Sequence, residues 1–344
     1  MSLADALAAL VVIGLTAYAV LAGADFGTGI WEVFAGRRRA VVRHAVEGSM
    51  APVWEANHVW LIFVLVLSWT CFPVAFGSVA STLYIPLSAA AVGIILRGAA
   101  FATRGAGGRG GRAGAWYGAL FAGSSLLTPF FLAAAIGGIA SGRVPEGNAQ
   151  GDALTSWWNP VSVLAGVLAV VTGAHLAAVY LAADARRHGD AGLEEWFRRR
   201  GVVSGVVAGA VALAGLFVVN DDAPDLFDGL TGGWALVFVI VSGLAGAATI
   251  GLLLARRLGP ARVAGALSVA AVVWGWAAAQ APYILPESLT VEEAAATRPT
   301  LVAVLVACGL GMLVLVPSLV YLYRLVLSGR LDKDPVPGSG RPLP

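Results

Sequence analysis

Among the ionisable side chains inside apolar runs of this chain, Asp25, Glu55, His58 and Arg97 could act together. Such groups are costly in hydrocarbon and call for a partner, a proton or a ligand. The densest stretch is A-P-V-W-E-A-N-H-V-W at 51–60, with a carboxylate, an amide, an imidazole and two indoles over 54–60. Carboxylates and imidazole change protonation readily when desolvated, so the chemistry they support is proton relay. His58 follows Glu55 by three residues and Trp54 by four, which puts all three on one helix face. A plainer reading is a structural ion pair, such as Glu55–Arg97, that neutralises two costly charges. The two readings are compatible, because proton paths are often built from paired charges.

Asp25 sits in G-A-D-F-G-T-G at 23–29. Glycines 23, 27 and 29 would let a neighbouring backbone approach closely, but packing needs no carboxylate. Glu32 and Glu47 read as solvated near an interface, and His44 and His188 as solvated in loops. His58 and His175 are single histidines, and the Glu55-x-x-His58 spacing has no counterpart at His175, a weak basis for haem or metal ligation. Trp54 and Trp60 flank the polar cluster and would pack or line a passage. Trp157 and Trp158 fit an outer interfacial belt, and Trp274 and Trp276 fall late in a span on the same side. Cys71 and Cys308 fall in apolar runs and read as small buried hydrophobes. No Walker loop, nucleophile elbow or cysteine metal motif is present in the sequence.

The elements that must position these groups are membrane helices. Of 344 residues, 58% are hydrophobic and 12% charged, and mean hydropathy is +0.82. A soluble domain carries about a quarter charged residues. The apolar runs are continuous rather than alternating, so helices rather than barrel strands are expected. A net charge of +2, spread over several loops, gives nucleic-acid binding no support. Nine spans are predicted, at about 6–34, 52–76, 79–102, 114–140, 159–183, 201–219, 233–254, 261–281 and 300–326. The first reads as a retained helix, since Asp5 rather than a basic segment precedes it. A short turn is expected at Phe72–Gly77 and a flexible loop at 105–112. Residues 1–330 form one polytopic domain, and 331–344 a disordered tail.

Basic residues give the direction. The loops after spans 1, 3, 5 and 7 and the C-terminal end hold 4, 3, 5, 3 and 4 lysines and arginines, 19 of the chain's 22. The positive-inside rule then puts the N-terminus outside and the C-terminus in the cytoplasm. Asp25 lies 11 residues before Gly36, roughly 16 Å at the helical rise, near mid-depth. Glu55, His58, Arg97 and His175 all fall in inner halves. A route from the cytoplasm to mid-membrane, lined by Asp25, Glu55, His58 and Arg97, is the chemistry this placement allows.

These residues resemble subunit II of the cytochrome bd family of quinol oxidases. G-A-D-F-G-T-G-I at 23–30 is similar to the family's G-F-D-x-G-V-G-M. A-P-V-W-E-A-N-H-V-W at 51–60 is similar to G-P-V-W-D-G-N-E-V-W. F-P at 72–73, L-Y-I-P-L at 83–87 and I-L-R-G at 95–98 fit the family's next segments, with looser likeness at N-P (159–160) and Y-I-L-P-E-S-L-T (283–290). The resemblance implies two four-helix bundles plus one peripheral helix. It implies a heterodimer with a haem-bearing subunit I that carries haems b and d and the quinol site. Such a complex oxidises quinol, reduces oxygen to water and takes its protons from the cytoplasm of a bacterial or archaeal cell. A bound quinone or a small accessory subunit would fit it as well. By matching position, Asp25 and Glu55 would be proton-path carboxylates, Arg97 their polar neighbour, and Trp60 near oxygen access. The chain departs from the pattern at Ala22, where an acidic residue often stands, at Glu55 for Asp, at Ala56 for Gly and at His58 for Glu or Gln. A purely structural partner of the haem subunit and a separate proton-coupled transporter are the competing expectations.

Overall fold

The computed structural model describes residues 2–50, 54–103 and 112–327, with side chains over 2–49, 57–100, 118–322 and 324–325. Within these residues the fold is all-α apart from one two-stranded hairpin.

Helix α1 (Leu3–Val33) opens on a capping box. Ser2 Oγ accepts from the Asp5 backbone N–H at 3.0 Å, and the Asp5 carboxylate accepts from Ser2 N at 2.9 Å. Its 31 residues reach about 46 Å, enough to cross a bilayer. After a 3-10 turn (Gly36–Arg38) the chain forms α2 (Arg39–Met50). The sequence pattern alone suggests a basic loop here. Val42 and Val46, four residues apart and fully buried, give it one apolar stripe that packs on the end of α1. Glu32 is therefore not solvated. It is 1% exposed, and Arg43 of α2 comes within 3.7 Å of its carboxylate.

Helix α3 (Trp54–Cys71) stops before Phe72-Pro73, and α4 (Pro73–Thr82) leaves at an angle of 118° to it. The expected turn is thus a second helix. Pro73 has no N–H to continue α3, but its fixed φ suits the first turn of a new helix. Two helices come next, α5 (Tyr84–Thr103) and α6 (Arg112–Ala140). Asn159 caps α7 (Pro160–Arg187), its side chain accepting from Ser162 N at 2.9 Å. Asp190 likewise caps α8 (Ala191–Asp222), accepting from Leu193 N at 2.8 Å. The chain continues through α9 (Pro224–Thr231), α10 (Ala235–Leu254) and α11 (Leu258–Gln280). The hairpin of β1 (Tyr283–Leu285) and β2 (Leu289–Thr290), the short α12 (Val291–Ala294) and α13 (Arg298–Leu327) complete the order.

Seven of the described helices, α1, α6, α7, α8, α10, α11 and α13, are long and apolar enough to span a membrane, and the bent pair α3–α4 makes an eighth if counted as one span. α1 packs against α3, α6 and α7, while α5 lies on α6, α7 on α8, and α10 on α11. α13 touches α3 and α1. One core gathers at the N-terminal end of α1, around Leu7, Leu67, Phe72, Trp157 and Leu289. Trp157 is thus buried there rather than in a lipid-facing belt, whereas Trp158 is exposed. A second core gathers at the other end, around Trp31, Val42, Leu181, Phe197 and Leu258. Between them α1 and α7 cross at closest approach. A methyl at Gly27 would lie 2.0 Å from the Gly173 carbonyl oxygen, so both positions need glycine. Gly23 differs from Gly27, since a methyl on it would meet nothing within 4 Å.

Candidate functional site

Asp25 and Arg97 form a buried ion pair between α1 and α5. Arg97 Nη2 lies 3.0 Å from Asp25 Oδ1, and each side chain is 2% exposed. The same Nη2 donates to the Asp25 backbone carbonyl at 2.7 Å, and Nη1 donates to Ser125 Oγ of α6 at 2.5 Å. Ser125 Oγ donates in turn to the Phe121 carbonyl at 2.5 Å. The guanidinium also lies over two rings, 4.9 Å from the Phe26 centroid and 4.3 Å from that of Phe121. Three helices thus hold one arginine in a geometry that neutralises and desolvates it together with its carboxylate.

The local sequence explains the fit. Tyr18, Ala22, Asp25 and Phe26 fall at helical spacing on one face of α1 and are all buried. Gly29, one turn on, admits Ser125, since a methyl there would lie 2.0 Å from Ser125 Oγ. Ser125 belongs to S-S-L-L-T-P at 124–129, where Pro129 cannot donate to the carbonyl four residues back.

His58 of α3 joins the same site through Phe26. Its ring stands edge-on to Tyr18 and to Phe26, each at 6.4 Å between centroids. His58 and Arg97 therefore contact the same phenyl ring. Asn57 donates to the Leu21 carbonyl of α1 at 3.4 Å. Trp60 packs beside Tyr18, Ala22 and Phe26 and stands edge-on to Phe63 at 6.1 Å. The side chains of Trp54 and Glu55 lie outside the described residues, and so does the expected Glu55–Arg97 pair. Asp25 Oδ2, Arg97 Nε, Asn57 Oδ1 and Tyr18 Oη are buried without a hydrogen-bond partner among the described residues. Buried polar atoms are normally satisfied, so all four suit a water molecule, and Asp25 Oδ2 alone suits a proton.

His175 stands apart, in the second half of the chain. Its Nδ1 lies 2.8 Å from the Gly201 carbonyl, tying α7 to α8. Among the described residues, no cluster of three or more His, Cys, Asp or Glu could hold a metal ion. Ser125, Phe121, Phe26 and Tyr18 were not expected. The signal for Ser125 was a polar pair before a proline within an apolar run.

The fold and site together define a multi-pass, all-α membrane protein with an ion pair buried among its helices. The chain belongs to the cytochrome bd terminal oxidase subunit II family, whose sequence profile matches residues 3–326. It is 32% identical over 104 residues to the cytochrome bd ubiquinol oxidase subunit 2 of Bacillus subtilis (strain 168), an alignment spanning 30% of each chain. In three dimensions it is similar to a chain of the bd oxidase from Geobacillus thermodenitrificans. The TM-score is 0.78 at 25% identity, covering 97% of this chain and 100% of the other.

Proposed function

We propose that this chain is the non-haem subunit of a bd-type terminal oxidase that oxidises quinol and reduces oxygen to water, and that it supports assembly and cytoplasmic proton delivery. Family membership over residues 3–326 is the observation that carries this reading. In it the haems, b and d, belong to a partner subunit I, and quinol and oxygen react there. A bound quinone and an accessory subunit remain compatible with it. The proton-delivery half is supported by Asp25 and Arg97 deep in apolar helices. Arg97 holds one oxygen of Asp25 and leaves Oδ2 open to take up and release a proton. Glu55 and His58 would form the mouth of the path, with Trp54 and Trp60 packing beside it or lining oxygen access.

The topology that goes with this function has nine spans, the seven long helices plus α3–α4 and α5. The packing supports two four-helix bundles, α1, α3, α5 and α6 in one and α7, α8, α10 and α11 in the other, with α13 peripheral. The N-terminus would lie outside and the C-terminus inside the cell membrane of a bacterium or archaeon. Residues 1–330 would form the single membrane domain, and the expected cytoplasmic tail at 331–344 lies outside the described residues.

The second reading is a structural partner with no conduction, favoured by Arg97 bracing three helices between two aromatic rings. Purification in mild detergent through this chain, with mass spectrometry and a reduced-minus-oxidised spectrum, tests the oxidase assignment. A haem-bearing partner of similar size is expected, and its absence would overturn the assignment.

A further inference from the structure

We infer that the chain carries a binding site for the phosphate headgroup of an anionic phospholipid, at the junction of the end of α1 and the first turns of α8. A groove of about 380 Å³ opens there, lined by Trp31, Phe34, Arg199, Arg200 and Val203. It lies at the end of α1 and two to three turns into α8, where the proposed spans meet the bilayer surface. The inference rests on the proposed membrane topology, but not on the proton path.

The floor is fixed. Trp31 donates its indole N–H to the Ala174 carbonyl at 2.8 Å and stands edge-on to Trp196 at 6.4 Å. Arg200 lies over the Trp196 ring, 3.4 Å from its centroid. Among the described residues no carboxylate pairs with Arg200. Arg199 is paired with Glu195, but that one carboxylate is shared with Arg198 and Arg256. Arg38 donates to the Gly192 carbonyl at 3.4 Å and lies near enough to Arg200 to add its charge there. The groove thus keeps an excess of positive charge on a rigid aromatic base. Guanidinium forks match phosphate oxygens well.

The walls are apolar and open. Phe34 is 66% exposed and Val203 63% exposed. A free anion would gain nothing from them, whereas a phospholipid would cover both with its acyl chains. An occupant with a negative head and apolar tails satisfies both halves of the groove.

The test is native mass spectrometry of the purified complex, exchanged into detergent with added phosphatidylglycerol or phosphatidylcholine. Wild type should retain phosphatidylglycerol in preference. Each arginine removed should weaken retention about fivefold, so Arg199→Gln/Arg200→Gln should lose roughly 25-fold. Arg199→Gln alone, at a side chain 74% exposed, guards against misfolding and should still lose about fivefold. Equal retention of the two lipids, or unchanged retention in both variants, would overturn the site. Displacement by inorganic phosphate regardless of acyl chain would reduce it to a bare anion site and overturn the lipid assignment. A cross-link from Val203→Cys to the partner subunit, with no lipid bound, would do the same. The topology is checked separately with Arg37→Cys, which an impermeant maleimide should label in inverted vesicles and not in right-side-out ones. The opposite pattern there would overturn the cytoplasmic placing while leaving the lipid measurement to stand or fall by itself.

Discussion

Replacing Arg97 with methionine removes the guanidinium while keeping an unbranched side chain in the slot between Phe26 and Phe121. The substitution leaves Asp25 buried at 1% exposure with neither oxygen bonded to a cation. It also strips a donor from the Asp25 carbonyl and from Ser125. Breaking a buried pair by deleting one partner costs about 3–5 kcal/mol, because the other charge is left uncompensated. For a chain of this size that is a fall on the order of 4–7 °C in thermal midpoint. The second mutation decides the cause. Arg97→Met with Asp25→Leu removes both charges and fills the space with apolar atoms, a change that is often neutral or stabilising. The double variant should therefore recover most of the lost midpoint, giving a coupling of at least about 2 kcal/mol. The assay is thermal unfolding of the detergent-purified complex, monitored by loss of the partner's haem absorbance and of tryptophan fluorescence. A double variant as unstable as the single would refute the reasoning. It would mean that Arg97 acts through its hydrogen bonds to Ser125 and to backbone, not through Asp25.

Gly27→Ala should abolish assembly, because its methyl meets backbone at 2.0 Å that cannot move aside. Gly23→Ala should be silent in the same yield assay, within about 0.5 kcal/mol, since its methyl enters open space. Gly29→Ala should cost about 1–3 kcal/mol by pushing Ser125 away, and Ser125→Gly in the same chain should restore part of the thermal midpoint. Asp152 accepts from the Leu154 and Thr155 N–H groups and the Thr155 hydroxyl, which holds its carboxyl below the usual range. Its folded pKa lies under the unfolded value, so the turn is fully stabilised above about pH 4 and loosens as pH falls further. Amide exchange at Thr155, corrected for intrinsic rate, should speed up in acid, and an Asp152→Asn chain should lack that pH dependence.

Much of the fold was legible because apolar runs and their breaks are local properties. Asn159-Pro160 announces a capped helix start, and Phe72-Pro73 a break. What the chain does after a break is not local. Pro73 ends α3 but also suits the start of α4, and only packing decides that a helix rather than a turn comes next. The α2 helix was hidden for a similar reason. Its stripe of Val42 and Val46 is short among arginines, and it becomes meaningful only against the end of α1. The site was half legible. A carboxylate and an arginine in apolar runs demand partners, so Asp25 and Arg97 stood out. Which charge meets which depends on helix rotation, and counting depth alone offered Glu55 as readily as Asp25. Ser125 and Phe121 lie about 100 positions from Asp25, and no spacing rule links residues across three helices.

The most direct test of proton delivery is oxygen consumption by the purified Asp25→Asn complex, measured with haem content on the same sample. Asparagine keeps the shape and an acceptor for Arg97 but cannot carry a proton. A proton path through Asp25 predicts a full haem complement with quinol-driven turnover at least tenfold slower, a loss smaller than the roughly 10²–10⁴-fold typical of removing a proton-transfer group because protons leak around it. Wild-type turnover in a fully haem-loaded Asp25→Asn complex would contradict it, leaving Asp25 and Arg97 as a structural pair.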